Sequence, residues 1–306
     1  PDSSGSLSEL FATVSISPPI GMCVVSIGHA IKWGRGRVRR FLGGFKPENK
    51  IHIYTHHKIG TALTSKVFRE IATYYGLKFV DSPGHNENIE DADIVHYWHA
   101  QISDEIRNSN HKGIHIIRDP RDVIVSGYLY HQRCKEEWCI NQDFEIVDNI
   151  SYPQVDYSQE HLSQEDKVNY LNSLNGKSYQ ENLKMMPQDE GLIFEMDGFA
   201  GRTIEDLLSW NSNPNILEIK FEELLADYDE KWLSVFTHLG FGGKHLQRVS
   251  NFAKNHDLSR MSKDQISKDK HISTGKLTKW NEYFNDKISQ EYQNRFGDAH
   301  EKLGYD

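Results

Sequence analysis

The sequence predicts an α/β protein with a mainly parallel central sheet flanked by helices. Short apolar runs typical of strands occur at residues 51–53, 93–98, 113–117 and 216–221. Segments in which apolar residues recur at helical spacing lie between these runs. Strands that alternate with helices are typical of a parallel sheet covered on both faces.

The first strand–helix unit spans residues 50–75, and its turn is the most informative stretch of the chain. The turn holds Lys58, Gly60, Thr61 and Thr64. Backbone N–H groups at a helix start can bind an anion, a glycine allows close approach, and the lysine and hydroxyls add charge and donors. Because the lysine precedes the glycine, the turn is not a Walker loop. It predicts a phosphate site, and an ordinary strand–helix turn is the alternative.

Further elements follow in chain order. Residue patterns predict a strand at 78–80, a strand at 93–98, a helix at 103–108, a buried strand at 113–117, a helix at 120–131, a helix near 203–210, a strand at 216–221, a helix near 228–239 and a terminal helix at 280–296. The helix at 120–131 is the best defined, since Asp119 suits the N-cap and Pro120 the first helical position.

The length of 306 residues allows one large domain or two small ones, and we predict a single α/β domain at 49–306 after an N-terminal arm at 1–48. Residues 141–190 are polar and weakly periodic, which indicates a helical insertion, and 254–279 indicate a long polar loop. Residues 20–46 combine an apolar run with a basic cluster. We expect a helix packed on the domain there, with peripheral membrane contact as the alternative.

Acidic residues outnumber basic ones, 44 to 35, so the formal net charge is −9. This argues against a general nucleic-acid binder, and an anionic ligand would need a locally positive pocket. Three cysteines without zinc or disulfide spacing indicate a reducing, cytoplasmic compartment. No His, Cys and carboxylate cluster predicts a metal site.

Ligands of open parallel sheets bind beyond the carboxyl ends of the strands. Three candidate groups fall there: the loop at 58–64, His99 and Arg118. Ser126 follows Arg118 by eight residues on the predicted helix. Two separate anion sites, at the loop and at Arg118 with Ser126, suit a ligand that carries phosphates at both ends. A capped helix start with a solvated arginine is the alternative at the second site.

Four segments resemble the sulfotransferases that use 3′-phosphoadenosine 5′-phosphosulfate (PAPS). Residues 58–61, Lys-Ile-Gly-Thr, are similar to the family's Lys-Ser-Gly-Thr-Thr loop for the 5′-phosphosulfate. Residues 118–126 are similar to its Arg-Asn-Pro-Lys/Arg-Asp segment, whose arginine and later serine bind the 3′-phosphate. Residues 217–224 resemble its strand ending in Tyr-Glu-Asp-Leu, and 275–284 resemble its C-terminal Arg-Lys-Gly…Trp-Lys-Asn-His-Phe segment.

The resemblance covers roughly residues 50–135 and 200–290. It implies a P-loop-like sulfotransferase architecture, PAPS as the donor, PAP (3′-phosphoadenosine 5′-phosphate) as the product and no metal. The implied acceptor is a hydroxyl on a small molecule, a carbohydrate or a lipid-linked group, attacked in line with the leaving phosphate. The loop at 254–279 would cover the cofactor, and the insertion at 141–190 would lie on the substrate side.

The cofactor contacts also follow from the resemblance. They are Lys58, Ile59, Gly60, Thr61, Ala62 and Thr64 at the 5′-phosphosulfate, Arg118 and Ser126 at the 3′-phosphate, Phe221 near the adenine, and Gly275 and Lys276 in the C-terminal segment. Lys58 would in addition neutralise charge on the bridging oxygen. The chain departs from the family at Leu63, Ala62 and Ser273-Thr274, and we expect Lys276, Lys270 or His271 to replace the missing cations.

The general base implied by the resemblance is a histidine just after the strand at 93–98, which precedes the strand that ends at Arg118. His99 stands at the end of that predicted strand, whereas His96 lies 22 residues before Arg118, a spacing typical of soluble members. We favour His99. A neutral histidine can accept the proton of an acceptor hydroxyl near pH 7.

Two other functions are compatible with the same loops. A nucleotide kinase is one, although the order of lysine and glycine and the lack of a clear Mg²⁺ motif argue against it. A non-catalytic module that binds PAP is the other, since the altered segment at 273–275 and Leu63 fit a site that binds without turnover.

Overall fold

The computed structural model describes residues 44–82, 89–141, 150, 152, 163–211, 213–261 and 278–306. Most of the predicted N-terminal arm lies outside these ranges, including residues 20–43. The same holds for Gly275 and Lys276, and for the alternative cations Lys270 and His271.

Among the described residues, five parallel strands form the central sheet: β1 (Lys50–Tyr54), β2 (Phe79–Ser82), β3 (Ile94–Tyr97), β4 (His111–Ile117) and β5 (Ile216–Lys220). Their spatial order is β2-β3-β1-β4-β5, and every neighbouring pair is parallel. The predicted parallel α/β sheet is therefore confirmed. The carboxyl ends of β1, β3 and β4 lie side by side at its centre.

Helices connect the strands and continue after them. In chain order those of the described ranges are α1 (Thr61–Tyr75), α2 (Asp104–Asn108), α3 (Pro120–His131), α4 (Glu137–Ile140), α5 (Gln164–Ser173), α6 (Tyr179–Met185), α7 (Gln188–Asp197), α8 (Phe199–Leu208), α9 (Phe221–Ala226), α10 (Tyr228–His238), α11 (Gly243–Lys254), α12 (Trp280–Tyr283), α13 (Asp286–Phe296) and α14 (Ala299–Lys302). A 3₁₀ turn occupies Leu258–Arg260. Within the described part of the chain, no helix has both the length and the apolar character to cross a bilayer.

Helix α3 has the bounds that its sequence predicts. The Asp119 side chain accepts a hydrogen bond from the Arg121 amide, and Pro120 occupies the first turn. The single terminal helix predicted at 280–296 is wrong, because the chain breaks into α12 and α13. The cause is Asn285, whose side chain caps α13 by accepting from the Ile288 amide.

The two faces of the sheet differ in composition. One face carries isoleucines that join the main core: Ile51, Ile53, Ile94, Ile114 and Ile116, all fully buried. The other carries buried tyrosines and histidines. There the rings of Tyr54 and Tyr97 stack with centroids 5.1 Å apart, and those of His52 and His111 at 4.2 Å. The second face is thus buried but rich in polar groups.

Candidate functional site

The loop between β1 and α1 has a conformation that only certain residues tolerate. Lys58 has φ +62° and Gly60 has φ +77°. A Cβ atom at Gly60 would lie 3.0 Å from the ring of Phe221, so a larger residue would displace that ring. Gly60 is also the N-cap and supplies no side-chain cap, so the first amides of α1 are left for another acceptor.

Two threonine hydroxyls brace this loop from inside. Thr61 Oγ1 donates to the His56 carbonyl oxygen at 3.0 Å and lies 3.0 Å from Thr55 Oγ1. Thr64 Oγ1 lies 3.1 Å from the carbonyl oxygens of Gly60 and of Thr61, and is buried. The hydroxyls of both predicted phosphate-binding threonines therefore already contact protein groups.

His96 supports the same loop from β3. Its Nδ1 lies 2.8 Å from Asp81 Oδ1 and its Nε2 lies 3.0 Å from Thr64 Oγ1. Burial, with a smaller effect of Arg69, lowers the pKa of His96 to about 3, so the ring is neutral at pH 7. The geometry then assigns the ring proton to Nδ1, which donates to the carboxylate, and leaves Nε2 to accept from a threonine hydroxyl. Both ring nitrogens are thus engaged within the protein.

Arg118, just after β4, contacts the loop directly. Its Nη1 donates to the carbonyl oxygen of Lys58 at 2.9 Å, and its Nε lies 3.8 Å from Glu222 Oε1. The guanidinium stands 5.4 Å from the ring centroid of Phe221. The two anion sites predicted from the sequence are therefore neighbours, and the ring that covers Gly60 also borders the arginine.

Positive charge accumulates beside this contact. The Lys58 ammonium lies 3.7 Å from the centroid of the Tyr130 ring. Burial, together with repulsion from Arg118, Arg133 and Lys279, lowers the pKa of Lys58 to about 7. Burial and Arg118 likewise lower the pKa of Lys279, which is 5% exposed. These neighbouring basic groups make the surroundings of Lys58 locally positive in a chain whose net charge is −9, as an anion site requires.

Lys279 is a site residue that the sequence analysis missed. Its amide donates to Asp122 Oδ1 at 2.7 Å, and the Trp280 amide donates to the same oxygen at 3.1 Å. The guanidinium of Arg121 lies 3.9 Å above the Trp280 ring. The Arg-Asp pair of α3 thus fastens the C-terminal segment to the site. The anchor is the buried carboxylate of Asp122. Its contact with Lys279 depends on the fold and could not be read from the spacing of residues in the sequence.

His99 stands where the sequence predicts it, just beyond the end of β3. Ala100 has φ +54°, so the chain turns sharply after it. His99 is 8% exposed, and burial lowers its pKa to about 4, so the ring is neutral at pH 7. His99 is thus a buried, uncharged imidazole. It lies at the same edge of the sheet as the loop that holds Lys58.

Aromatic rings connect His99 with the lysine. The ring centroid of Phe199 lies 6.2 Å from His99 and 4.3 Å from His57, and His57 lies 5.7 Å from Tyr130. Tyr130 is the ring on which the Lys58 ammonium rests. The predicted base and the predicted lysine therefore border one ring-lined wall, formed by Phe199, His57 and Tyr130.

The remaining predicted contacts have mixed surroundings. Ile59 is fully buried and its amide donates to the His56 carbonyl oxygen at 3.0 Å, so it holds the turn. Ala62 is partly exposed in the first turn of α1. Ser126 is 5% exposed within α3, two turns after Arg118.

In the described ranges, no group of three or more His, Cys, Asp or Glu residues is arranged to hold a metal ion.

Comparisons with known proteins were made by sequence and by structure. The sulfotransferase domain model matches residues 86–304, which is more than half of the chain and begins after the Lys58 loop. No match was found among curated proteins. Mouse sulfotransferase SULT7A1 complexed with PAP is similar at 15% identity, with 89% of this chain and 91% of that chain covered and a TM-score of 0.44. Retinol dehydratase in complex with androsterone and inactive cofactor PAP is similar at 13% identity, with 88% and 85% covered and a TM-score of 0.39.

Proposed function

Because this chain belongs to the sulfotransferase domain family, we propose that it is a PAPS-dependent sulfotransferase that acts on an acceptor hydroxyl. The observation that carries the proposal is the contact of Arg118 with the Lys58 loop inside a cluster of cations. The protein carries a net negative charge, yet buried cations lie beside a helix start that has no side-chain cap. Such an arrangement suits a polyanion.

The residues of the site fit the donor. The first amides of α1 and the Lys58 ammonium would hold the 5′-phosphosulfate, with Gly60 allowing the backbone to come close. Arg118 and Ser126 would hold the 3′-phosphate, and the Phe221 ring borders the space expected for the adenine. PAPS, when bound, supplies an activated sulfuryl group with a phosphate as its leaving group.

Lys58 suits the departing phosphate oxygen. An ammonium whose pKa lies near 7 gains or loses a proton easily at physiological pH. An anion placed beside it stabilises its protonated form, so Lys58 becomes a full cation as the donor binds. It then faces the oxygen on which charge develops.

His99 is the proposed general base, and His96 a positioning residue. Both imidazoles are neutral at pH 7, but the two ring nitrogens of His96 are engaged by Asp81 and Thr64. His99 borders the wall of Phe199 and His57, where an acceptor would lie across from Lys58. A base on one side and a cation on the other suit in-line transfer.

The ring-lined wall bears on the acceptor. Aromatic faces bind flat apolar groups and the apolar faces of sugars alike. We therefore expect a small-molecule or carbohydrate hydroxyl, and phenols, sterols and monosaccharides are the first panel to assay with labelled PAPS.

Binding of PAP tests the donor site. Calorimetry with PAP, ADP and ATP, with and without Mg²⁺, is expected to show metal-independent binding that prefers PAP. Lys58→Ala and Arg118→Ala are expected to weaken it, whereas Arg202→Ala, which removes an exposed arginine of α8, serves as the control. Preference for Mg-ATP would overturn the proposal in favour of a kinase. Tight PAP binding without transfer to any acceptor would indicate a non-catalytic module.

A further inference from the structure

A line of hydrogen-bonded side chains crosses the polar face of the sheet. Glu218 Oε2 on β5 lies 3.0 Å from His115 Nδ1 on β4, and His115 Nε2 lies 2.9 Å from His56 Nε2 after β1. His56 and His115 are 1% and 0% exposed, whereas the Glu218 side chain is 49% exposed. The line therefore begins at the protein surface and ends in its interior.

The hydrogen bonds determine where the protons lie. The hydrogen bond with His115 lowers the pKa of Glu218, so this residue is a carboxylate and accepts from His115 Nδ1–H. Burial lowers the pKa of His115, so its ring is neutral and its Nε2 must accept. His56 therefore donates from Nε2–H. Because burial also keeps His56 neutral, its Nδ1 carries a lone pair.

That lone pair lies in the interior of the protein. Among the described residues, none forms a hydrogen bond with His56 Nδ1, although the atom is buried. Buried acceptors without partners are rare in native proteins and cost free energy. This nitrogen, at the end of a central strand, can therefore accept a hydrogen bond from a further donor.

The strand register places His99 at the same edge of the sheet as His56. Tyr54 of β1 pairs with Tyr97 of β3, and their rings stack, so positions 56 and 99 follow at the same edge of neighbouring strands. The Thr55 amide continues this register by donating to the Tyr97 carbonyl oxygen at 3.0 Å. Four adjacent strands thus supply, within the strand or just beyond its end, Glu218, His115, His56 and His99.

Two contacts hold the His115 ring and the His56 backbone in place. The indole of Trp210 stacks on the His115 ring with centroids 4.0 Å apart and an interplanar angle of 20°. Thr61 Oγ1 donates to the His56 carbonyl oxygen at 3.0 Å. Because the two imidazoles are buried, their electrostatic interactions act in a low local dielectric and are stronger than those of exposed groups.

We infer that Glu218, His115 and His56 form a relay that positions His99 as the base of the proposed sulfuryl transfer. One ring N–H of His99 donates to His56 Nδ1 when the substrates close the site, which leaves the other ring nitrogen to accept the acceptor's proton. The new O–S bond forms as the bridging S–O bond breaks, and its electron pair stays on the phosphate of PAP. The proton then resides on His99, whose positive charge Glu218 stabilises through the two imidazoles.

Several charged or titratable groups face this line. They are Arg107 of α2, which acts on His115, and His99, which acts on both His56 and His57. Arg107 opposes positive charge on His115, so Glu218 is the group that supports it. Removing that carboxylate therefore lowers the pKa of His99.

Nitrogen-15 NMR of the histidine side chains and the pH profile of transfer test the relay together. Wild type is expected to carry the proton on Nε2 of His56 and on Nδ1 of His115. Glu218→Gln is expected to lower the titration pKa of His99, to cut kcat by about tenfold and to move the acid limb of the kcat profile to lower pH. His115→Asn, which interrupts the line at its middle, is expected to lower the pKa of His99 as well.

Glu70→Gln is the matched control, because Glu70 forms a similar pair with His256, 2.9 Å apart, on the outer side of α1. A proton on Nδ1 of His56, or a His99 titration in Glu218→Gln equal to that in Glu70→Gln, would overturn the relay. The NMR readouts do not depend on turnover. If wild type transfers no sulfuryl group, the proposed function fails, while the tautomers and the His99 titration still decide the relay.

Discussion

The guanidinium of Arg118 donates a hydrogen bond from Nη1 to the carbonyl oxygen of Lys58, 2.9 Å away. This contact ties the end of β4 to the loop after β1, two segments 60 residues apart in the chain. It fixes the loop in a conformation in which Lys58 and Gly60 both have positive φ. Arg118 thus helps to hold the Lys58 loop in the conformation that the structure shows.

Replacing Arg118 with lysine should separate charge from geometry. Lysine keeps the positive charge but lacks the planar fork that reaches both the Lys58 carbonyl and a phosphate. We expect Arg118→Lys to weaken PAP binding by about 10- to 100-fold, measured by calorimetry at fixed salt. Arg202→Lys, on an exposed arginine, should bind PAP like wild type. Wild-type affinity in Arg118→Lys would show that charge alone suffices.

Gly60 and Gly240 form a matched pair for testing the loop. Both have positive φ, +77° and +88°, but only at Gly60 would a Cβ meet a neighbour, the Phe221 ring at 3.0 Å. Gly240→Ala should lower the free energy of unfolding by about 1 kcal/mol through backbone strain alone. Gly60→Ala should lower it further and weaken PAP binding. Equal losses in urea denaturation would show that the Phe221 contact is unimportant.

Much of this fold is predictable from local patterns. Strands and helices alternate in the sequence, and Asp119 and Pro120 mark the start of α3, because capping and first-turn preferences depend on neighbouring residues alone. The break between α12 and α13 was missed, since an apolar periodicity continues across Asn285 while its side chain begins a new helix.

The site was less predictable than the fold. Lys58 and Arg118 belong to recognisable segments, but Lys279 is a lysine in a polar stretch, and its contact with the buried Asp122 depends on the fold. The relay from Glu218 to His56 depends on the order of strands in space, in which β5 follows β4 and β4 follows β1. No spacing in the chain encodes that order.

Binding of PAP should take up a proton above neutral pH. The pKa of Lys58 is lowered to about 7 in the free protein, chiefly by burial, so this lysine loses its charge as the pH rises through 7. A bound polyanion raises that pKa again, so at pH 8 binding should draw about one proton from the buffer, and below pH 6 almost none. Calorimetry in buffers of different ionisation enthalpy measures the uptake.

Lys58→Met is the variant that should abolish this uptake. Since methionine cannot be protonated, its PAP affinity should depend less on pH between 6 and 8. An undiminished uptake in Lys58→Met would assign the proton to another group of the cluster, with Lys279 the first to test by Lys279→Met.

The His131 and Glu195 pair should contribute strongly to stability. Nδ1 of His131 lies 2.6 Å from Glu195 Oε1, and both side chains are fully buried between α3 and α7. Glu195→Ala leaves a buried histidine without its hydrogen-bond partner and should lower the free energy of unfolding by about 1–3 kcal/mol. Glu205→Ala, which removes an exposed partner of Arg202, should change it by less than about 0.5 kcal/mol. Similar losses in chemical denaturation would argue against a strong contribution of this buried hydrogen bond.

Replacing His96, in β3, and His99, just after it, should have different effects. His96 holds Thr64 under the loop and contacts Asp81, so His96→Asn should loosen the loop, weaken PAP binding and lower the stability of the fold. His99 borders the wall of Phe199 instead, so His99→Asn should leave PAP affinity within about twofold and reduce kcat by roughly 100-fold or more, the range expected for loss of a general base. Calorimetry and sulfuryl-transfer rates on the same preparations separate the two roles. If His96→Asn abolished transfer while PAP bound normally, and His99→Asn remained active, the base would be His96. The proposal that His56 positions His99 as the base would then be wrong.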